Sequence, residues 1–501
     1  MEMKNYRSQS RHHLGCFSAI VALSIGSLVA ETKPVSLDDC VKMALQKNLD
    51  IRIAFYSPRQ ALSQLRQVSA AYDPSLQFSA GQSFTAQPSL ALPGQAALPG
   101  AEAWRESYTT AINGLVPWGT SYNIGFDVPR SSDSVRPESG FLYNPSLRLR
   151  MAQPLLKNFW IDQPRMMIAV NTLNIRRTEQ DVQDLVITVA TQVALAYHDL
   201  IAARESVKVQ TKAVETSERR LVEQKKRVEV GALAPLDEKR SEAEVFRTRA
   251  DLLRTQGSYG DALTRLRTLT SDNLSEIDGV ILDPTQTLTA VPMAFDKKDS
   301  WHKALIQRPD VQRATLSLEQ QKIRSRFAHN QLFPQLDLTG SYGLNGFDHH
   351  IGSSLDNIGA RDFPNHSVGL VLNFPLSNRG ARESNKQVKL ERERLLLDFK
   401  RTEQGAMREI DISIRAAKTQ FERVGATRKQ REFATQALDA EEKKLANGKS
   451  TSFEVLQLQR DLTQSESDEI SALSEYNKEL YRLSQAEGDT LNKLKILLDI
   501  Q

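Results

Sequence analysis

The chain repeats itself. Residues 44–79 fall on residues 304–339 without a gap: Ala44 meets Ala304, Leu45 meets Leu305, Asp50 meets Asp310 and Ala54 meets Ala314. Further along, Gln60 meets Gln320, Arg66 meets Arg326, Pro74 meets Pro334 and Leu76 meets Leu336. Each copy reads as a helix, a proline and an alternating strand, so the fold must be assembled from two like units. A return strand closed by proline follows each copy, at Gln153-Pro154-Leu155 and at Phe374-Pro375-Leu376. Next come a long stretch suited to a helix, a glycine (Gly231 or Gly448) and a second helical stretch, 235–270 or 451–498. The order is helix, strand, strand, helix, turn, helix, twice. The predicted units are 31–290 and 291–501, and the first carries an extra hairpin near 104–130.

The long stretches set a length scale. Ile161–Val230 has no glycine and its one proline, Pro164, stands at the start; Ala381–Asn447 has no proline. A helix over either stretch would be roughly 100 Å long, more than a compact domain needs. Val182, Val186, Val189, Val193, Ala196, Leu200, Ala203 and Val207 follow steps of four and three, a heptad seam that Val214, Leu221 and Val228 continue. Phe399, Ala406, Ile410, Ala417, Phe421 and Val424 make a similar seam in the second half. Small seam residues allow close helix packing.

The strands alternate with period two. Leu76, Phe78, Ala80 and Phe84 alternate with polar or small residues; so do Leu147, Leu149 and Met151, and Leu336, Leu338, Tyr342 and Leu344. Val368, Leu370, Leu372 and Phe374 share one side, and 108–116 and 120–128 flank Pro117-Trp118-Gly119. This pattern fits a barrel with a lipid face and a wet lumen, and equally a half-buried soluble sheet.

Lys4, Arg7 and Arg11 precede the apolar run Phe17–Val29, which Ala30 ends; this predicts a signal peptide over 1–30. Cys16 precedes the run, so it is not a lipidation cysteine. Removal of the signal leaves only Cys40, which suits an exported chain and excludes a disulfide framework. A net charge of +4 over 501 residues carries no nucleic-acid signature. The sequence contains no HExxH, P-loop, nucleophile elbow or CxxC, so no enzyme, cofactor or metal site is expected. Outside the predicted signal segment, which carries His12-His13, His349-His350 beside Asp348 is the sole histidine cluster, and it lies in a Gly/Ser/Asn-rich stretch read as a solvated loop.

Three pairs of segments carry a resemblance to a known family: VKMALQKNLDIRIA (41–54) with HKALIQRPDVQRA (302–314); Tyr72-Asp73-Pro74-Ser75-Leu76 with Leu332-Phe333-Pro334-Gln335-Leu336; and VEVGALAPLDEKRSEAEV (228–245) with LANGKSTSFEVLQLQRDL (445–462). In order, spacing and duplication these resemble the outer-membrane efflux proteins, the TolC-type channels, over about residues 36–500. The resemblance implies a mainly helical chain with a β membrane part. Long antiparallel helical hairpins would form a periplasmic α-barrel. Four strands from each chain of a homotrimer would form a twelve-stranded β-barrel in outer-membrane lipid. It also implies a passive duct that docks on a periplasmic adaptor (a membrane fusion protein) and an inner-membrane transporter.

For particular residues the resemblance implies the following. Glu454, just inside the second turn, would line the constriction, and Gln457 stands where relatives often carry a second acid. Asp237 matches an acid tied to a tyrosine and an arginine of the other turn; here those places hold Leu445 and Ser450, with Lys449 or Arg460 as substitutes for the arginine. Gly231 and Gly448 end helices at the adaptor-facing tip, where Lys225, Lys226, Arg227, Lys239, Arg240, Lys443, Lys444 and Lys449 make a basic surface. Read without the resemblance, Asp237 and Glu454 are helix N-terminal acids that complement the dipole. The rival for the whole chain is a periplasmic coiled-coil adaptor or scaffold without a pore. Two hairpins and a duplicated strand pair argue against it.

Overall fold

The computed structural model describes residues 32–88, 101–133, 140–231, 234–276 and 279–496. The predicted signal segment lies outside them. Strand β1 (Thr32–Val35) leads into helices α1 (Leu37–Lys47), α2 (Leu49–Ala54) and α3 (Tyr56–Ser69). Ser36 starts α1 with a capping box: its hydroxyl accepts from the Asp39 amide at 3.2 Å, and the Asp39 carboxylate accepts from the Ser36 amide. Four long strands follow, β2 (Ser75–Gln87), β3 (Ala101–Leu115), β4 (Ser121–Asp133) and β6 (Ser146–Pro154), with the short β5 (Leu142–Tyr143) before the last. Helix α4 (Gln163–Glu229) then runs 67 residues and α5 (Pro235–Thr270) returns.

The second unit repeats the plan. After β7 (Ile281–Pro284), which falls within 31–290, it comprises α6 (Lys297–Gln307), α7 (Pro309–Asn330), β8 (Gln335–Asn345), α8 (Ile351–Ala360) and β9 (Phe363–Asn373). The 68-residue α9 (Arg379–Ala446), α10 (Ser452–Glu487) and α11 (Thr490–Lys493) complete it. The duplicated positions Asn48 and Arg308 both cap a helix, and each clamps a neighbour. Asn48 donates to the Leu269 carbonyl at 3.1 Å; Arg308 donates to the Ala486 carbonyl at 2.9 Å and pairs with Asp310 and Glu409.

Three expectations need correction. The helix expected over 451–498 ends at Glu487, because Gly488 turns left-handed (φ 75°) where a Cβ would lie 3.1 Å from the Arg308 backbone. The loop after His350 contains α8, closed by Arg361 in the left-handed region. The third concerns the sheet. The resemblance implies four barrel strands per chain and leaves the place of the alternating segments 108–116 and 120–128 open; six long strands pair in the order β2-β3-β4-β6-β8-β9, all antiparallel. The 104–130 hairpin is therefore built into the sheet: β2 pairs β3, and only β4 meets β6.

The core sits at the middle of α4. Val186, Val193, Ala194, Tyr197, Leu200 and Ile201 are fully buried there, against α1, the end of α5 and the parallel pair β1–β7. Tyr197 donates its hydroxyl to the Val35 carbonyl at 3.1 Å, which pins the N-terminal strand to α4. Among the described residues α4 alone is apolar enough over 18 residues to cross a bilayer, but most of that stretch is buried, so it is this core. Smaller clusters join α6 to α9 and α10 (Ala304, Ile410, Leu483) and α9 to α10 (Val424, Ala472, Tyr476). In the helical layer α4 lies between α5 and α10, and α10 between α4 and α9.

Candidate functional site

The strand register sorts side chains onto two faces. On one, Leu76, Phe78 and Phe84 of β2 stand level with Ile112, Thr110 and Trp104 of β3. Ile124 and Phe126 of β4 continue that face to Leu149 and Leu147 of β6, and Leu338 of β8 meets Leu370 of β9. These apolar side chains are exposed, Val368 to 80% and Leu76 to 73%. So broad an uncovered apolar face is incompatible with water. The aromatics Phe84 and Trp104 pack with tilted rings, centroids 4.6 Å apart, toward one end of this face, and Trp118, Trp160 and Phe374 stand exposed toward the other. Two aromatic levels flanking an apolar band mark a membrane-embedded barrel wall. Gly114 belongs to the same face: Tyr122 folds over it so closely that a Cβ would meet the ring.

The opposite face is polar and small. Thr109 stands against Asp127 and Ser79, Arg148 between Gly125 and Gly343, and Arg150 between Asn123 and Ser341. Asn123 donates to Asn113 at 2.6 Å, and Ser341 and Ser367 share a hydrogen bond of 2.8 Å. Each long strand has 9 to 15 residues, enough to cross a hydrocarbon layer when tilted.

At the far end of the long helices lie the two turns. Gly231 (φ 75°) and Gly448 (φ 71°) adopt the left-handed conformation that ends a helix without a Cβ clash. Beyond Gly448, the Lys449 amide donates to the Lys444 carbonyl at 2.9 Å, while the Lys449 side chain is exposed. Ser450, at the place of the expected arginine, donates instead to Glu441 of its own hairpin at 2.6 Å. Thr451 caps α10 by accepting from the Glu454 amide at 3.4 Å, which leaves the exposed Glu454 carboxylate in the first turn.

Asp237 reaches the other turn only indirectly. Its carboxylate lies 3.6 Å from Arg240 of its own helix, and the Arg240 guanidinium stands 6.0 Å from the Phe453 ring, at the outer limit of a cation–π contact. Leu445 lines a groove between the turns with Arg220, Gln224 and Val455.

The direct ties near the tips lie further up: Arg460, expected as a substitute for the arginine that would pair with Asp237, pairs instead with Glu244, which the sequence did not single out. Arg460 of α10 donates twice to Glu244 of α5, at 2.5 and 3.0 Å, and Arg247 donates to the same carboxylate at 2.7 Å. Burial alone would raise the Glu244 carboxyl; the two arginines outweigh it and hold its pKa below the usual carboxylate range. Arg220 of α4 pairs with Glu442 of α9. Glu244 and Arg460 face a polar cavity of about 370 Å³ that also holds Arg220, Gln457 and Asp461.

Gln457 donates to Asp461 at 3.4 Å and Gln464 to Asp468 at 2.9 Å, so one face of α10 carries Glu454, Asp461 and Asp468 a heptad apart. The next acid beyond Glu454 is therefore Asp461, a full heptad on, while position 457 holds a glutamine. In the sheet's outer loops, His350 lies 3.6 Å from Asp348 with its ring in solvent, and no metal-binding group occurs among the described residues.

Comparisons with known proteins bear on this geometry. The outer-membrane channel OprN aligns with 90% of this chain and 90% of its own at 20% identity, with a TM-score of 0.66. The outer-membrane channel CmeC of Campylobacter jejuni covers 91% of this chain and 86% of its own at 16% identity, TM-score 0.65. The open state of the outer-membrane channel MtrE of Neisseria gonorrhoeae covers 91% and 89% at 16% identity, TM-score 0.63. At these identities the likeness is one of fold. No curated protein sequence matches. The family profile described as "Outer membrane efflux protein" matches residues 163–271 and 301–489, which takes in all four long helices. With its apolar-faced sheet, its duplicated helical hairpins and this match, the chain belongs to the outer membrane efflux protein family, whose members are channels with a β-barrel in the outer membrane and a helical tunnel in the periplasm.

Proposed function

We propose that the chain is the passive export duct of a tripartite efflux or type I secretion machine. Three copies form one hollow body. The carrying observation is the sheet: its apolar face is exposed and, among the described residues, its end strands β2 and β9 each lack a partner on one side. Open edges do not survive in lipid, where each unpaired backbone group costs several kcal/mol, so the sheet must close on further copies. The helical layer supports the same conclusion. Its edge helices α5 and α9 expose heptad-spaced apolar residues, Phe246 and Leu253 on one, Leu390 and Leu397 on the other.

The chemistry is conduction, and the energy comes from the inner-membrane transporter. In the trimer Glu454 recurs three times at the periplasmic mouth, and three carboxylates around one axis favour cations. Gln457 relays this ring to Asp461, extending the acidic lining inward. The tips, with Gly231, Asp237, Gly448 and the exposed Lys449, form the surface that meets the adaptor.

Conductance of purified protein in a planar bilayer tests this, with Glu454→Gln measured alongside. The duct predicts cation-preferring conductance that the substitution weakens. Unaltered selectivity removes Glu454 from the pore. No conductance, even after Arg460→Ala loosens the tips, favours the poreless scaffold.

A further inference from the structure

The hairpin β3–β4 sets this sheet apart from the four-stranded plan that the sequence resemblance implies. It has a foot in the helices. Its turn closes with the Val116 amide donating to the Thr120 carbonyl at 2.9 Å and the Gly119 amide to the Val116 carbonyl at 2.8 Å. Gly119 (φ 96°) lies against Arg165, where a Cβ would come within 2.9 Å of the guanidinium. Thr120 is buried and bonds Gln153 of β6, and Asp162, the N-cap of α4, is buried beside the same turn. The hairpin is thus locked to the point where the sheet passes into the long helix.

Its faces match the rest of the sheet. Tyr108, Ile112, Ile124 and Phe126 lie on the exposed apolar side, and Thr109 and Asp127 on the polar side. A cap above the membrane would have no need of an apolar band in register with β6. Directions agree as well: six strands that alternate leave β2 and β9 running oppositely, so copies join edge to edge with the antiparallel pattern unbroken.

We infer that the hairpin is part of the membrane wall, so that three copies close a barrel of eighteen strands in which β2 of one copy pairs with β9 of the next. This rests on the trimeric-duct reading above. A barrel's diameter grows roughly linearly with strand number, so at equal tilt the bore is about half as wide again as that of twelve strands. The membrane section then has porin-like width and passes whatever the helical mouth admits, including cargo too bulky for a twelve-stranded bore. Selection by size falls to the hairpin tips.

Single-cysteine labelling of the full chain in native outer membranes tests the inference. The native Cys40 is fully buried and its thiol is pushed up to about 12, chiefly by burial, so it stays silent. Phe126→Cys and Asp127→Cys probe the hairpin; Leu149→Cys and Arg150→Cys probe β6 as the reference. The probe is a water-soluble, membrane-impermeant maleimide, and the oligomer is read on a native gel.

The expected result is a trimer labelled at 127 and 150 and unlabelled at 126 and 149. A trimer with 126 and 127 both labelled, but 149 still protected, overturns the eighteen-stranded wall and leaves the duct standing. Labelling at 149 as well, without a trimer, overturns both. Deletion of 101–133 gives a second reading: if it assembles, exclusion of polyethylene glycols added from the outer side must shift to smaller polymers, and an unchanged cut-off sinks the inference.

Discussion

Along α4 the waist and the tip are packed by different residue types on one continuous seam. At the waist Val182, Val186, Val189, Val193 and Leu200 are buried against several elements at once. Toward the tip the buried positions are Ala213, Val214, Ser217 and Gln224, while Val222 and Val230 stand exposed. Ser217 shares a hydrogen bond of 2.9 Å with Thr248 across the hairpin, and the ties to the second hairpin are ion pairs, Glu244–Arg460 and Arg220–Glu442. Apolar burial over many neighbours makes a rigid ring. A few polar contacts around a wet groove make a junction whose separation would expose little apolar surface. The same helices carry an apolar-packed waist and a polar-tied tip.

The largest test is one truncation made twice. Leu200→Ala at the waist should cost about 2–5 kcal/mol, and Leu221→Ala near the tip about 1 kcal/mol or less, read from denaturant midpoints of the detergent-extracted protein. Equal costs would erase the distinction.

Acid should separate the regions next. His198 is buried at the waist with neither ring nitrogen hydrogen-bonded, and burial lowers its pKa to about 4. The folded state thus takes up the proton later than the unfolded chain. Stability is whole above about pH 6.5 and falls by about 3 kcal/mol as pH drops toward 4. His198→Leu should flatten that slope in a melting-temperature series. The Glu244 pair behaves differently: with its pKa held low, its contribution persists to below about pH 4.3, the ordinary carboxylate value.

Arg460→Ala leaves the buried Glu244 carboxylate with Arg247 of its own helix as its one arginine partner. It should weaken the tip by about 2 kcal/mol, discounted because the arginine is partly exposed, and raise single-channel conductance. Adding Glu244→Gln should restore part of the loss. Arg220→Ala, whose partner Glu442 is half-exposed, should cost under about 1 kcal/mol and change conductance least.

Much of the architecture was legible because it rests on local periodicity. The six strands, the helical hairpins and the positive-φ glycines at 231 and 448 all lie where period two, period three-and-a-half and breaker placement put them. Of the tip lock only Arg460 was marked out, and with Asp237 as its partner, because ion pairs depend on which helix faces stand opposite. Glu244 and Arg460 are more than two hundred residues apart, and each alone is an ordinary helix charge. The β1–β7 pair escaped notice because four residues are too few to show a period.

The sequence by itself determined that two like units exist, that their strands have one apolar side and that their helices are too long for a compact core. Hydrophobic periodicity and backbone breakers are local properties, and they act wherever the chain goes. Only the tertiary structure decided that the extra hairpin enters the sheet between β2 and β6, and that the hairpins are tied by Arg460 rather than at Asp237. Both depend on the pairing of distant segments, because a strand edge or a charged face accepts many partners until the surrounding packing leaves it one.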